Sequence, residues 1–442
     1  MKSLTYLLII LFIASACQFD QEVIANNPPG SFIVDAALQN DGKSVLLTWT
    51  PAHDPDNDEV SYTVAYQGKH IQGIKDTQFL LINLPFGSDI EGSITAEDGK
   101  GGSTAAKFII QTASGYASIP DSAFENELIR QRIDDEKDGQ IARNAALRVT
   151  ELIISGKLIR NLQGIEAFSN LTYLDCQGNL LKELHLNTNR ALKYLDCHSN
   201  EINSLKINKC AALEELYCQI NKLNDLTISD NLALKEVWCF YNLLSTLDVS
   251  RNINLQKLSI AYNRLTEINL SKNLALTELS CSFNALTRLD LGKNTLLQYL
   301  YCSDNHLTEL DISKNSMLYS LFCQSNQLRQ LDVSKNLELI HLQCFKNNLE
   351  SLDISKNTSL LYLYCQSNNL TYLDIGKNKD LFYLDCSTNR LEALSISRNL
   401  KLVYLLCYRN RISTICINDY SQIPVSGWEK DKWVGYEVCE NK

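Results

Sequence analysis

Leu171-Thr172-Tyr173-Leu174-Asp175-Cys176-Gln177-Gly178-Asn179-Leu180-Leu181-Lys182-Glu183-Leu184-His185-Leu186 opens a pattern that the chain repeats every 21 residues. Cysteine recurs on that period at Cys176, Cys197, Cys218, Cys239, Cys281, Cys302, Cys323, Cys344, Cys365, Cys386 and Cys407, and Ile260 fills the one gap. Three residues after each stands an asparagine, from Asn179 to Asn410. Leu174, Leu181, Leu184 and Leu186 begin four more apolar columns with the same spacing. A single unit of this length cannot bury its apolar face, but a stack of units buries a continuous one. Side chains alternate along a strand, so Leu174 and Cys176 are expected to point inward. Asn179 ends the strand, where its amide can bond turn backbone that a tight coil leaves unpaired. Twelve strands about 4.8 Å apart make a sheet about 55–60 Å long.

The unit L-x-x-L-x-C-x-x-N-x-L-x-x-L-x-[LIV] is the leucine-rich-repeat signature. The fold class expected is a leucine-rich-repeat solenoid with a parallel β-sheet, repeats over 171–417 and a helical N-cap, preceded by a small all-β sandwich. Residues 118–170 hold the cap and a degenerate first repeat. Asp121 or Ser122 caps a helix there, and Phe124, Leu128, Ile129 and Ile133 follow at helical spacing. Residues 134–145 resemble an EF-hand loop, but Ala145 stands where a bidentate acid is needed, so no ion is expected. Together with the export signal described next, 118–442 resembles bacterial internalin-like leucine-rich-repeat surface proteins. The resemblance implies adhesion or recognition through the concave face.

Residues 1–16 read as a lipoprotein signal peptide. Lys2 is positive, residues 7–13 are unbroken apolar, and Ala14-Ser15-Ala16 precedes Cys17. These small residues resemble a lipobox, with Ala14 where leucine is common; the resemblance implies lipidation at Cys17. Gln18-Phe19-Asp20-Gln21-Glu22 resembles a surface-export signal, and 17–30 reads as a tether. The expected location is the outer membrane as a lipoprotein, at the cell surface, with membrane contact through the lipid anchor only. Residues 31–113 show short strands and turns without helical period, which reads as a sandwich. Their order and the single Trp49 resemble a fibronectin type III domain, with Ile90 at that family's corner-tyrosine position. Asp54, Asp56 and Asp58 read as a solvated acidic turn, because no complete ligand set is visible.

The net charge of −10 argues against a nucleic-acid partner. One cysteine per repeat, without histidine or paired spacing, reads as a small core residue, so no metal or redox cofactor is expected. Cys210 falls on a second asparagine column (Asn189, Asn231, Asn252) and is expected to be unpaired. An exported protein permits a Cys416–Cys439 disulfide, which would pin Trp428, Trp433 and Val434 of a C-terminal cap (418–442) over the end of the core. Lys209, Arg251 and Lys272 begin a basic column read as solvated charge. No nucleophile–base pair or phosphate loop is visible, so an enzyme is not expected.

The aromatic residues point to the binding surface. Of 20 between Leu171 and Ile417, random placement among variable positions would put about eight on or beside the outward strand face, whereas 19 lie there. The residues expected to bind are Tyr194, Tyr217, Trp238, Phe240, Tyr241, Tyr262, Phe283, Tyr299, Tyr301, Phe322, Phe345, Tyr362 and Tyr364. Strand propensity explains enrichment but not exposed aromatic area. Neutral partners such as Gln177, His198 and Gln219 suit either a protein or a glycan ligand. A structural envelope spacer is the third reading. For the anchor, Cys17→Ala is expected to release the protein from membranes or to leave an uncleaved precursor. Wild-type fractionation of that variant, with no metabolic lipid labelling of the parent, would overturn the assignment.

Overall fold

The computed structural model describes residues 25–39 and 41–439. Cys17 and its signal lie outside them. The chain divides into two units, residues 1–114 and 115–442. No helix among the described residues is long and apolar enough to cross a membrane.

The first unit packs two antiparallel sheets. β1 (Val34–Leu38), β2 (Val45–Trp49) and β5 (Gln78–Leu81) form one, in the order β1-β2-β5. β3 (Ser61–Tyr66), β4 (Lys69–Ile74), β6 (Asp89–Glu97) and β7 (Ser103–Gln111) form the other, in the order β4-β3-β6-β7. Alternation sends Val45, Leu47, Tyr62, Val64, Ile90 and Ile94 into one core. β1 and β4 lack a strong apolar alternation, and sequence reading missed both. Trp49 stacks edge-on with Tyr62, whose hydroxyl accepts from the Ala52 amide.

The second unit is a solenoid around one 14-stranded parallel sheet. Twelve of its strands are the repeats, from Tyr173–Asp175 to Tyr404–Leu406. Glu151–Ile153 from the degenerate repeat adds one at the start, and Trp428–Glu429 adds one at the end. Register is strict: Leu174 pairs with Leu195, Leu195 with Leu216, and so along the sheet. The core is therefore a set of columns of identical residues. Eleven cysteines fill one of them, all buried and free of disulfides. Burial pushes the thiols of Cys239, Cys281 and Cys344 up to about 12, so they carry no thiolate at neutral pH.

Two asparagine columns hold the coils together. In the first, one amide spans two coils. The Asn305 Nδ2 donates to the Cys281 (3.0 Å) and Cys302 (3.3 Å) carbonyls, and its Oδ1 accepts from the Leu286 amide (3.0 Å). The second column, which includes Asn294, Asn315 and Asn336, is completely buried. Asn315 Nδ2 donates to Leu291 (3.2 Å) and Asn294 (2.8 Å) of the preceding coil. Its Oδ1 has no partner, so the column is there for its two donors. Cys210 occupies this column with a single weak donor, its thiol 3.2 Å from the Leu186 carbonyl.

Each end of the stack has a cap. Asp121 is the N-cap of α1 (Ser122–Arg130): Oδ1 accepts from Ala123 and Phe124, while Oδ2 accepts from Arg160 and Asn161. One carboxylate thus fixes both the helix and the first coil. Phe124 and Leu128 close the core, and Ala145 lies in a helical turn, Arg143–Ala146. At the far end Gly435–Val438 pairs with Thr414–Ile417, and a disulfide joins Cys416 to Cys439 with Cα atoms 5.5 Å apart. Val434, Trp428 and Tyr436 pack on the core. Trp433 does not: it is 69% exposed, and Tyr436 takes the covering role that sequence reading gave it. Tyr436 sits on a strand paired with the last coil, which fixes its direction; Trp433 sits in the preceding turn.

The asparagine columns make two expectations. Asn315→Ala removes two interior hydrogen bonds and should lower stability by about 1–3 kcal/mol. Cys210→Asn should raise it by about 1 kcal/mol, because a second donor reaches the Asn189 carbonyl. Urea unfolding of both variants checks the pair; a Cys210→Asn variant no more stable than its parent would contradict this account of the column.

Candidate binding surface

The same strict register arranges the outward face. Alternation points Tyr173, Asp175 and their equivalents away from the core, so each outward position is also a column about 4.8 Å in pitch. Just beyond each strand the backbone turns through a left-handed residue. Gly178 has φ 64°, and Ser199, Ile220, Tyr241, Tyr262, Phe283 and Asp304 follow between 51° and 55°. Cross-coil hydrogen bonds impose that conformation: the Tyr241 amide donates to Ala261 and the Tyr262 amide to Ser282. The left-handed region suits glycine and asparagine, and a bulky side chain there costs about 1–2 kcal/mol. Three successive repeats nonetheless carry an aromatic ring.

Those rings belong to a continuous run across the face. Tyr173 stacks on Tyr194 at 4.2 Å, and Tyr194 leads to Tyr217, Trp238, Phe240 and Tyr241 with centroids 5.4–6.0 Å apart. Tyr241, Tyr262 and Phe283 then stack at 4.0 and 4.1 Å, with planes within 10°. The run crosses from the first outward column to the left-handed turns over six repeats. Its last three rings are the most open, 49%, 36% and 42% exposed. A second run joins Tyr299, Tyr319, His341, Tyr362, Phe382, Tyr404, Tyr383 and Tyr364. Tyr301 meets Phe322 edge-on at 5.0 Å. Phe345 enters neither run among the described residues. Sequence reading missed His341, although it stands in register with Tyr362.

Between the runs the face dips. Ser259 and Ser280 separate Trp238 from Tyr301 in one column; Ala261, Ser282 and Ser303 follow Phe240 in the next. Aromatic walls therefore stand three strands apart, about 14 Å, over a floor of small side chains. On one border Lys257 Nζ lies 3.3 Å from Glu236, and Glu278 follows. Burial and the nearby Glu278 raise the Tyr301 hydroxyl above its ordinary value, so it stays protonated and able to donate.

These rings lie on the scaffold without filling it. Tyr262→Asn exchanges two stacks, about 0.5–1.5 kcal/mol each, for relief of the left-handed backbone, and the net change should stay within about 1 kcal/mol. Leu258→Ala, one residue from the same strand's outward face but inside the core, should cost about 2–5 kcal/mol. Chemical unfolding of the two variants separates them; equal losses would make the aromatic columns structural.

No protein-family model and no curated protein matches the chain. Solved structures do. InlF from Listeria monocytogenes is 19% identical, with 73% of this chain and 96% of that chain aligned at a TM-score of 0.61. The plant peptide hormone receptor RGFR1, solved in complex with RGF2, is 21% identical over 68% of this chain and 57% of its own, at 0.53. At these identities the likeness is one of fold. The functional domain of InlJ from Listeria monocytogenes is nearer in sequence: 30% identical, 71% of this chain and 80% of that chain aligned, TM-score 0.59, and likewise described as including a cysteine ladder. With that degree of identity and the same ladder of core thiols, the chain belongs to the internalin family of leucine-rich-repeat proteins.

Proposed function

We propose that this chain is a cell-surface adhesion lipoprotein, anchored through Cys17, that recognises a protein partner on the aromatic concave face. The observation that carries this reading is the set of rings held in left-handed turns, Tyr241, Tyr262 and Phe283. The turn accepts any side chain, Ile220, Lys346 and Thr388 among them, so the fold does not call for rings there and they are free for a task outside folding. Their exposed, contiguous apolar surface suits interface burial, where such side chains contribute about 2 kcal/mol or more at hot spots. The small-residue floor between Trp238 and Tyr301 receives a protruding partner side chain, with Glu236 and Glu278 at its border.

Ring geometry favours protein over the alternative, a glycan-binding accessory of a polysaccharide-uptake system. A sugar ring packs its C–H face on an open aromatic face. Here Tyr262 is stacked on both faces, by Tyr241 and Phe283, and each of Tyr173, Tyr194, Tyr241 and Phe283 has one face covered by its neighbour, which leaves few open ring faces for sugars. RGFR1, a protein of the same fold, is a plant peptide hormone receptor solved in complex with RGF2, which supports a polypeptide ligand.

The test immobilises the full-length chain and identifies the proteins it retains from host-cell surface and envelope extracts, beside a glycan array. A protein bound by the parent and lost by the Trp238→Ala, Tyr262→Ala variant, with a silent array, is the expected result. Unchanged capture by a folded double variant, or binding confined to glycans, would overturn it.

A further inference from the structure

The loop from 51 to 58 joins β2 to β3 and carries an acid at alternate positions: Asp54, Asp56 and Asp58. From its sequence this is a solvated turn. Folded, it brings one carboxylate oxygen from each of the three within 4.8 Å of the others, the one such group of acidic, histidine or cysteine ligands among the described residues. Ligands on opposite sides of a calcium ion stand about 4.6–5.2 Å apart, so these three fit one coordination sphere.

The loop wraps around its own first acid. Asp54 Oδ1 accepts from the amides of Asp56 (2.8 Å) and Asp58 (3.2 Å). Asp54 is only 8% exposed, and its other oxygen, Oδ2, is shut off from solvent without a hydrogen-bond partner. Asp58 Oδ2 is in the same position. A carboxylate oxygen withdrawn from water without a donor is unfavourable, and buried charges are otherwise paired or bound to metal. The cation at hand is Lys100, with Nζ 2.7 Å from Asp58 Oδ1 and a largely exposed side chain. One ammonium faces three carboxylates and leaves both buried oxygens unserved.

We propose that this loop is a calcium site, with Asp54, Asp56 and Asp58 as ligands, backbone carbonyls or water completing the shell, and Lys100 displaced outward. Calcium fits better than magnesium, because a loop of oxygen ligands with irregular spacing satisfies its flexible six- to eight-fold shell and not a strict octahedron. Its effect follows from what else the loop holds. Both Asp56 oxygens accept from Asn27, through the amide (2.6 Å) and Nδ2 (3.0 Å), while Asn26 Nδ2 donates to Asp98 on the loop after β6 (2.7 Å). An ion in the loop therefore stiffens the point where the segment from residue 25 enters the sandwich.

Calorimetric titration of CaCl2 into the metal-stripped full chain, with terbium luminescence as a second readout, tests this. One ion per chain is expected, with a Kd of about 10⁻⁴–10⁻³ M, the range of extracellular modules. Asp54→Asn keeps the amide contacts of Oδ1 and should weaken binding at least tenfold; Asp58→Asn should do the same. Lys100→Met removes the competing cation and should tighten binding several-fold. Asp134→Asn, on the acid-rich loop of the repeat cap, should change nothing. No binding by the parent, or binding lost in Asp134→Asn and kept in Asp54→Asn, overturns the proposal. So does a Lys100→Met variant that is less stable and still binds no calcium, which would make Lys100 the loop's own partner.

Discussion

A 21-residue coil reverses direction so tightly that backbone carbonyls are left inside it with too few amides to meet them, and side-chain amides of asparagine make up the difference. Asn305 spans two coils with one side chain, and Asn315 serves two interior carbonyls. Buried polar backbone must be bonded, so this constraint holds at every repeat and sets the period. The apolar columns follow from it. Once the asparagines fix one coil on the next, equivalent side chains lie about one strand spacing apart, and Leu174, Leu195 and Leu216 pack as a ladder. Cysteine fills one of these columns as a small apolar residue, and burial keeps its thiol protonated.

This division of labour leaves the outward positions free. Stability resides in columns that face inward, so residues such as Trp238 and Tyr262 are not held in place by the core. Strict register nevertheless arranges them, since rings in adjacent repeats meet at stacking distance wherever the sequence supplies them. The two aromatic runs and the small-residue floor between them are consequences of sequence written on a regular lattice. At the left-handed turns the lattice imposes one conformation on every repeat whatever its side chain, and three successive repeats place the rings of Tyr241, Tyr262 and Phe283 there.

Much of this was legible in the residues because the repeat is strict. Period, inward columns, a helix start capped by Asp121 or Ser122 and the aromatic bias of one face all follow from spacing. Features that depend on contacts between distant positions were not. Nothing local distinguishes Trp433, which points away from the core, from Tyr436, which covers it; the difference lies in pairing of the following strand with the last coil. The left-handed turn was invisible because only Gly178 announces it, while the other repeats place ordinary residues there under the force of cross-coil hydrogen bonds. In the sandwich, Asp54 reads as one acid of an exposed turn, and only folding shows an oxygen shut away from water.

The central claim is that recognition uses the outward face while the opposite edge of the coils serves only the fold. Hydrogen–deuterium exchange of the full chain, alone and with a captured protein partner, tests it most directly. Peptides spanning 236–242, 257–263 and 278–284, which contain the outward strands and left-handed turns, are expected to gain protection, while 246–252, 267–273 and 288–294 stay unchanged. Protection confined to the latter set would contradict the account.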